Sequence, residues 1–141
     1  MHLRDILSHK GRNIVSCTPA DSLTRAVGCL VEHNIGSLVV LEGGRMVGIL
    51  TERDILRACD AGGGCVSDQT VQQRMTPDPV TGSSDDEIAD VMGIMTRHRI
   101  RHLPVVDRGE LVGLVSIGDI VKAEHAAATQ ENHYLKCYIQ G

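Results

Sequence analysis

With 141 residues, the chain has room for one compact domain and little more. Its formal net charge of −4 gives no electrostatic reason to expect nucleic acid or an anionic membrane as partner. Trp and Phe are absent, so the aromatic platforms on which single-stranded nucleic acid stacks are missing.

No apolar run approaches the roughly 18 residues of a membrane span. Met1–Asp5 lacks the apolar stretch of a secretory signal. The cysteines, Cys17, Cys29, Cys59, Cys65 and Cys137, are odd in number and form no CxxC pair. Reduced thiols and a cytoplasmic location are therefore expected, without a disulfide framework or a zinc knuckle.

Asn13–Cys17 reads as a first strand. Thr18-Pro19-Ala20-Asp21 reads as a helix start, with Thr as N-cap, Pro at the first position and an acid three residues on. Leu23, Ala26, Val27, Leu30 and Val31 follow at helical spacing, with Cys29 as a small core residue on the same face. Ile35–Leu41 and Met46–Leu50 read as a hairpin around Gly43-Gly44-Arg45, and Glu52–Cys59 as a second helix. Ala61-Gly62-Gly63-Gly64 is a flexible link, and Val71–Met75 a short helix stopped by Pro77 and Pro79. The order then recurs. Pro79–Thr81 is a strand, and Ser83-Ser84-Asp85-Asp86 a second cap. Ile88, Val91, Met92 and Met95 form the stripe, and Ile100–Val106 with Leu111–Val115 the hairpin. A last helix runs from near Ile117 to about Lys136.

A shift of 65 positions superposes the two halves without a gap, carrying Asp54 onto Asp119 and Gly48 onto Gly113. Two copies of a unit too small to bury its own core imply a shared core and two related sites. The expected organisation is a first repeat over 5–60, a linker with a short helix over 61–74, a second repeat over 75–125 and a helical tail over 126–141.

The strand-to-helix corners carry the chemistry. Thr51 and Ser116 each end a strand, and Asp54 and Asp119 lie in the first turn of the next helix. Unpaired N–H groups and a partial positive charge gather there and suit a phosphate. The hydroxyl can donate to phosphate, and the carboxylate can accept from two ribose hydroxyls. The same residues also serve simply as an N-cap and a favourable first-turn acid. A basic cluster, Arg97, Arg99, Arg101 and His102, offers guanidinium groups for a di- or triphosphate, or a solvated helix end. The first repeat has Glu32, Asn34, Gly36 and Ser37 at those positions. Ser116–Asp119 is therefore expected to be the main anion site, and Thr51–Asp54 the weaker one, with Arg53 as its cation. No Ser-His-Asp or Cys-His arrangement and no metal-ligand spacing is legible, so neither an enzyme nor a metal site is expected.

The tandem G-x-x-T/S-x-x-D corners, with the phrases "VGILTERDIL" and "RIRHLPVVDRGELVGLVSIGDIVK" and the Met75-Thr76 pair, resemble a cystathionine-β-synthase (CBS) domain pair, or Bateman module, of the stand-alone bacterial type. The resemblance spans about residues 5–125. It implies an α+β fold: two β-α-β-β-α units, helices against sheet in two layers, related by a pseudo-twofold axis. It implies a regulatory module for an adenine nucleotide, AMP, ATP or NAD(H), with no catalytic cofactor. It further implies a homodimer that acts on a separate enzyme or transporter. Adenine would lie between the repeats near Val80, Thr81, Ile100, Leu103 and Pro104. Ribose would lie on Asp119 or Asp54, beside Ser116, Ile117 and Gly118 or Thr51 and Arg53. Phosphate would fall to Arg99, Arg101 and His102. A ligand-free dimerisation or interaction module is the alternative.

Overall fold

Two tight turns start both hairpins, and a β-bulge then shifts the register between Val40 and Leu41 and between Val105 and Val106. Gly43 and Gly44 take φ of 59° and 78°, and Arg108 and Gly109 take 51° and 78°. Positive φ at both loop positions matches the right-handed twist of the flanking strands. Strands β2 (Ser37–Glu42) and β3 (Arg45–Thr51) thus pair Glu42 with Arg45. Strands β5 (His102–Asp107) and β6 (Glu110–Ser116) pair Asp107 with Glu110. The computed structural model describes residues 1–11 and 13–140.

The remaining elements are α1 (Leu3–Lys10), β1 (Ser16–Cys17), α2 (Leu23–His33), α3 (Glu52–Ala61), α4 (Val71–Arg74), β4 (Thr76–Pro77), α5 (Ile88–His98) and α6 (Ile117–Gln140). The fold is α+β. The first half carries a four-stranded sheet in the order β1-β2-β3-β4, and the second half the two-stranded β5-β6. The sheets do not merge into one, but β3 lies against β6. Val39 and Ile49, a cross-strand pair outside both cores, are 0% and 5% exposed.

Each half has its own core, and each core borrows a helix from outside its repeat. Leu3, Ile6 and Leu7 of α1 pack with Ile88, Val91, Met95, Leu103, Val105, Val115 and Ile120 of the second half. Val71 of α4 packs with Leu23, Leu30, Leu38, Val40 and Leu50 of the first. The backbone repeats this exchange. Leu3 N–H donates to Asp86 O and Ile88 N–H to Met1 O, both at 3.0 Å; Val71 N–H donates to Asp21 O and Leu23 N–H to Gln69 O, both at 2.9 Å.

Several sequence expectations need correction. Helix α1 lies outside the elements expected from the sequence, although Leu3, Ile6 and Leu7 have the i, i+3, i+4 spacing of a buried face. The cap assigned to Thr18 is a turn instead. The Thr18 N–H donates to the Asp21 carboxylate at 2.9 Å, Asp21 N–H donates to Thr18 O at 3.2 Å, and Pro19 takes a turn position it suits. The helix starts at Leu23, where the Ser22 hydroxyl accepts from Arg25 N–H. Ser83–Asp86 repeats the substitution, with Ser83 N–H on the Asp86 carboxylate and α5 starting at Ile88. Of Asn13–Cys17, only Ser16 and Cys17 enter the ladder. Pro79–Thr81 forms no strand; Thr76–Pro77 pairs with β3 instead, and Gly82 makes a lone parallel bridge to Val105. Val31, expected on the buried stripe, is 75% exposed, and Cys29 is only partly buried.

Candidate functional site

Helices α2 and α5 end alike, in a left-handed residue: Asn34 with φ 53° and Arg99 with φ 54°. Ile35 N–H then reaches back to Leu30 O, and Ile100 N–H to Met95 O. This closure reverses the chain and aims the following residues at the corner of a hairpin. Glu52 N–H donates to Gly36 O at 3.1 Å, and Ile117 N–H donates to Arg101 O at 2.8 Å. Both corners are built this way, and both use the capping arrangement. Thr51 N–H donates to Asp54 Oδ2, and Ser116 N–H to Asp119 Oδ2, each at 2.9 Å; each Asp N–H returns a bond to the preceding hydroxyl.

The corners differ in what remains free. At the first, the Thr51 hydroxyl donates to Asp54 Oδ2 at 3.1 Å, and Thr76 Oγ1 lies 3.2 Å from Oδ1 and 3.4 Å from Oδ2. Asp54 is 6% exposed and has internal donors at both oxygens. At the second, Lys10 Nζ donates to Asp119 Oδ2 at 2.6 Å and to Leu114 O at 2.8 Å. Among the described residues Asp119 Oδ1 has no hydrogen-bond partner, and the Ser116 hydroxyl accepts without donating. Burial pushes the Asp119 carboxyl up, but the Lys10 ammonium and the Ser116 N–H outweigh it and hold the carboxyl below the usual range.

A crevice of about 290 Å³ opens at this second corner, between the repeats. Ser116, Leu114 and His102 supply one wall. The other comes from the first repeat, through Asn13–Val15 and Asn34–Ser37, and Lys10 closes one side. Ile14, Val15, Ile35 and Leu114 make it partly apolar. His102 is admitted by Gly36: a Cβ there would lie 3.2 Å from the imidazole and 2.9 Å from Glu52 Oε1. Burial pushes the His102 pKa below its ordinary value, Lys10 and Arg101 reinforcing this while Glu52 and Asp119 oppose it.

The sequence-derived set is thus divided. Ser116 and His102 line the crevice; Asp119 bonds to Ser116 and Lys10 at its edge. Gly118 and Ile117 are exposed in the first turn of α6. Leu103 is fully buried in the second core and Pro104 is buried beside it, so neither lines the crevice. Val80 packs on that core and Thr81 is exposed. Arg101 and Arg99 are exposed, and the Arg99 carbonyl accepts from Arg53 Nη1 at 3.3 Å, so Arg99 stands by the Thr51–Asp54 corner. Of the basic cluster, only His102 reaches the Ser116 crevice. Lys10 and the first-repeat wall were missed. They belong to segments that a repeat alignment assigns elsewhere.

The CBS domain family model matches this chain twice, over residues 3–61 and 69–126. The chain belongs to the CBS-domain family. This CBS pair is 34% identical to the CBS domain-containing protein CBSX3, mitochondrial, of Arabidopsis thaliana, over 99% of this chain and 72% of that protein. It is 39% identical to a CBS-domain containing protein from Agrobacterium tumefaciens, whose crystal structure superposes with a TM-score of 0.85 over 88% of this chain and 99% of that one. The CBS domain pair of protein MJ0100, solved in complex with 5′-methylthioadenosine and S-adenosyl-L-methionine, superposes with a TM-score of 0.78 at 28% identity, over 90% of this chain and 98% of that one. Among the described residues of the present CBS pair, no helix is long and apolar enough to cross a membrane, and no cluster of three or more metal-ligating side chains occurs.

Proposed function

We propose that this CBS pair is a regulatory sensor of an adenosine-containing ligand, with its main site at Ser116–Asp119, acting as a homodimer on a separate enzyme or transporter. The observation that carries this reading is the second corner. It combines a carboxylate oxygen without an internal partner, a hydroxyl free to donate and an apolar-walled crevice at one helix start. A ribose hydroxyl fits the carboxylate, an adenine the apolar wall, and a polar 5′ group the hydroxyl and the positive end of α6. The solved ligand complex of a CBS pair with the same architecture supports an adenosine derivative. The Thr51–Asp54 corner lacks those free valences, which supports one principal site per chain. Regulation follows from differential affinity: a ligand favours the arrangement of the halves it binds better, and a partner protein reads the shift.

Calorimetric titration with AMP, ATP, NADH, 5′-methylthioadenosine and S-adenosylmethionine tests this. A ligand at 100 times its Kd raises stability by about 2.7 kcal/mol, visible as a thermal shift. Asp119→Ala is expected to weaken binding about tenfold or more. Equal affinity of that variant refutes the site. The absence of any shift with all five compounds favours a ligand-free interaction module.

A further inference from the structure

Among the described residues, Lys10 is the one formally charged side chain on the wall of the Ser116 crevice. It comes from α1, which docks from outside the second repeat, and its ammonium sits on Asp119 Oδ2 and Leu114 O. An ammonium has three N–H donors, and these bonds use two of them. The third is available to a ligand oxygen. The Asp119 charge is already met by Lys10, by the Ser116 N–H and by the positive end of α6, so it opposes an incoming anion only weakly. Lys10, the free Ser116 hydroxyl and the positive end of α6 together offer the crevice hydrogen-bond donors that suit an anion. The other corner has a neutral hydroxyl, Thr76, in the matching place on its aspartate.

We propose that Lys10 sets the ligand charge: the Ser116 crevice selects an adenosine derivative with an anionic 5′ substituent over neutral or cationic ones. The inference rests on the adenosine-ligand reading above. It makes Lys10 a specificity-determining residue, supplied by a helix outside the repeat that holds the corner. The ammonium matches a phosphate oxygen and repels a sulfonium.

The test compares AMP, 5′-methylthioadenosine and S-adenosylmethionine on the full chain, in wild type, Lys10→Gln and Lys10→Arg. The wild type is expected to bind AMP about tenfold or more tightly than 5′-methylthioadenosine, and S-adenosylmethionine most weakly. Lys10→Gln is expected to lose that preference, with AMP weakened about tenfold and 5′-methylthioadenosine nearly unchanged; Lys10→Arg is expected to retain it. Equal wild-type affinity for all three compounds overturns charge selection and leaves the adenosine site standing. Equal weakening of AMP and 5′-methylthioadenosine in Lys10→Gln overturns it too, because Lys10 then serves only the docking of α1. Failure of the wild type to bind any of the three, or ATP or NADH, overturns both readings.

Discussion

Gly113→Ala tests the docking of α1 on the second hairpin. A Cβ built at Gly113 would lie 2.4 Å from Leu7 Cδ2 and 3.1 Å from Cδ1, inside van der Waals contact. Leu7 is 7% exposed and packed in the second core, so it has little room to withdraw. Overpacking of this kind costs about 1–3 kcal/mol. Against that, replacing Gly by Ala restricts the unfolded chain and returns about 0.4–1 kcal/mol. Overpacking is the larger effect, and a net loss of up to about 2.6 kcal/mol is expected in the wild-type background. Leu7→Ala alone should cost about 2–5 kcal/mol by leaving a cavity. In the Leu7→Ala background the clash is gone, so Gly113→Ala becomes neutral or stabilising. The measurement is urea unfolding of all four proteins by circular dichroism, with midpoints compared at unchanged m-value. A loss from Gly113→Ala that is the same in both backgrounds, within about 0.5 kcal/mol, refutes the contact.

The two corner aspartates should separate stability from binding. Asp54→Ala strands the Thr51 N–H and the Thr76 hydroxyl and should cost about 1–3 kcal/mol of stability, whereas Asp119→Ala, at a more exposed corner, costs about 1 kcal/mol or less. Nucleotide affinity should show the reverse order, and the same ranking in both assays would refute the difference between the corners. Burial of His102 lowers its pKa, so the unfolded chain binds its proton more readily. Its contribution is complete above the ordinary value of about 6.5 and is lost as pH falls through the lowered folded value. His102→Gln should therefore flatten the decline in thermal stability on acidification, and an unchanged profile would contradict this. Cys17, pushed up to about 11 by burial, should resist iodoacetamide in the folded protein. Exposed Cys65, lowered by its bond to Ser67, should be alkylated first in a peptide-mapped time course.

The legible parts of this structure were local. Gly43-Gly44 and Arg108-Gly109 mark their turns without help from the rest of the chain, whereas the bulges after Val40 and Val105 that shift the strand pairing carry no such mark. The duplicated Ser116–Asp119 and Thr51–Asp54 corners stood out because the repeat itself displays them. What could not be read depends on which half packs on which. Helix α1 is only eight residues long, and its apolar face has no partner nearby in sequence. Thr18-Pro19-Ala20-Asp21 reads equally as a turn or as a helix cap, and the turn is the form that bonds to Val71, far along the chain. The family resemblance puts adenine by Val80 and phosphate by Arg101, whereas the crevice is lined by Val15 and Gly36, their equivalents in the first repeat. A linear alignment cannot show that a pseudo-twofold pair seats one half's residues against the other half's corner. Asp119 and Ser116 were visible in the sequence; the ammonium that tunes them was not, since Lys10 lies outside the aligned unit.

The borrowed helix also imposes an order on synthesis. Lys10 emerges from the ribosome 104 residues ahead of the carbonyl that anchors it. Until that hairpin follows, Leu3, Ile6 and Leu7 lack the strand side of their core, Leu103, Val105 and Val115. Closure of the second half is thus a late event that registers translation through the hairpin.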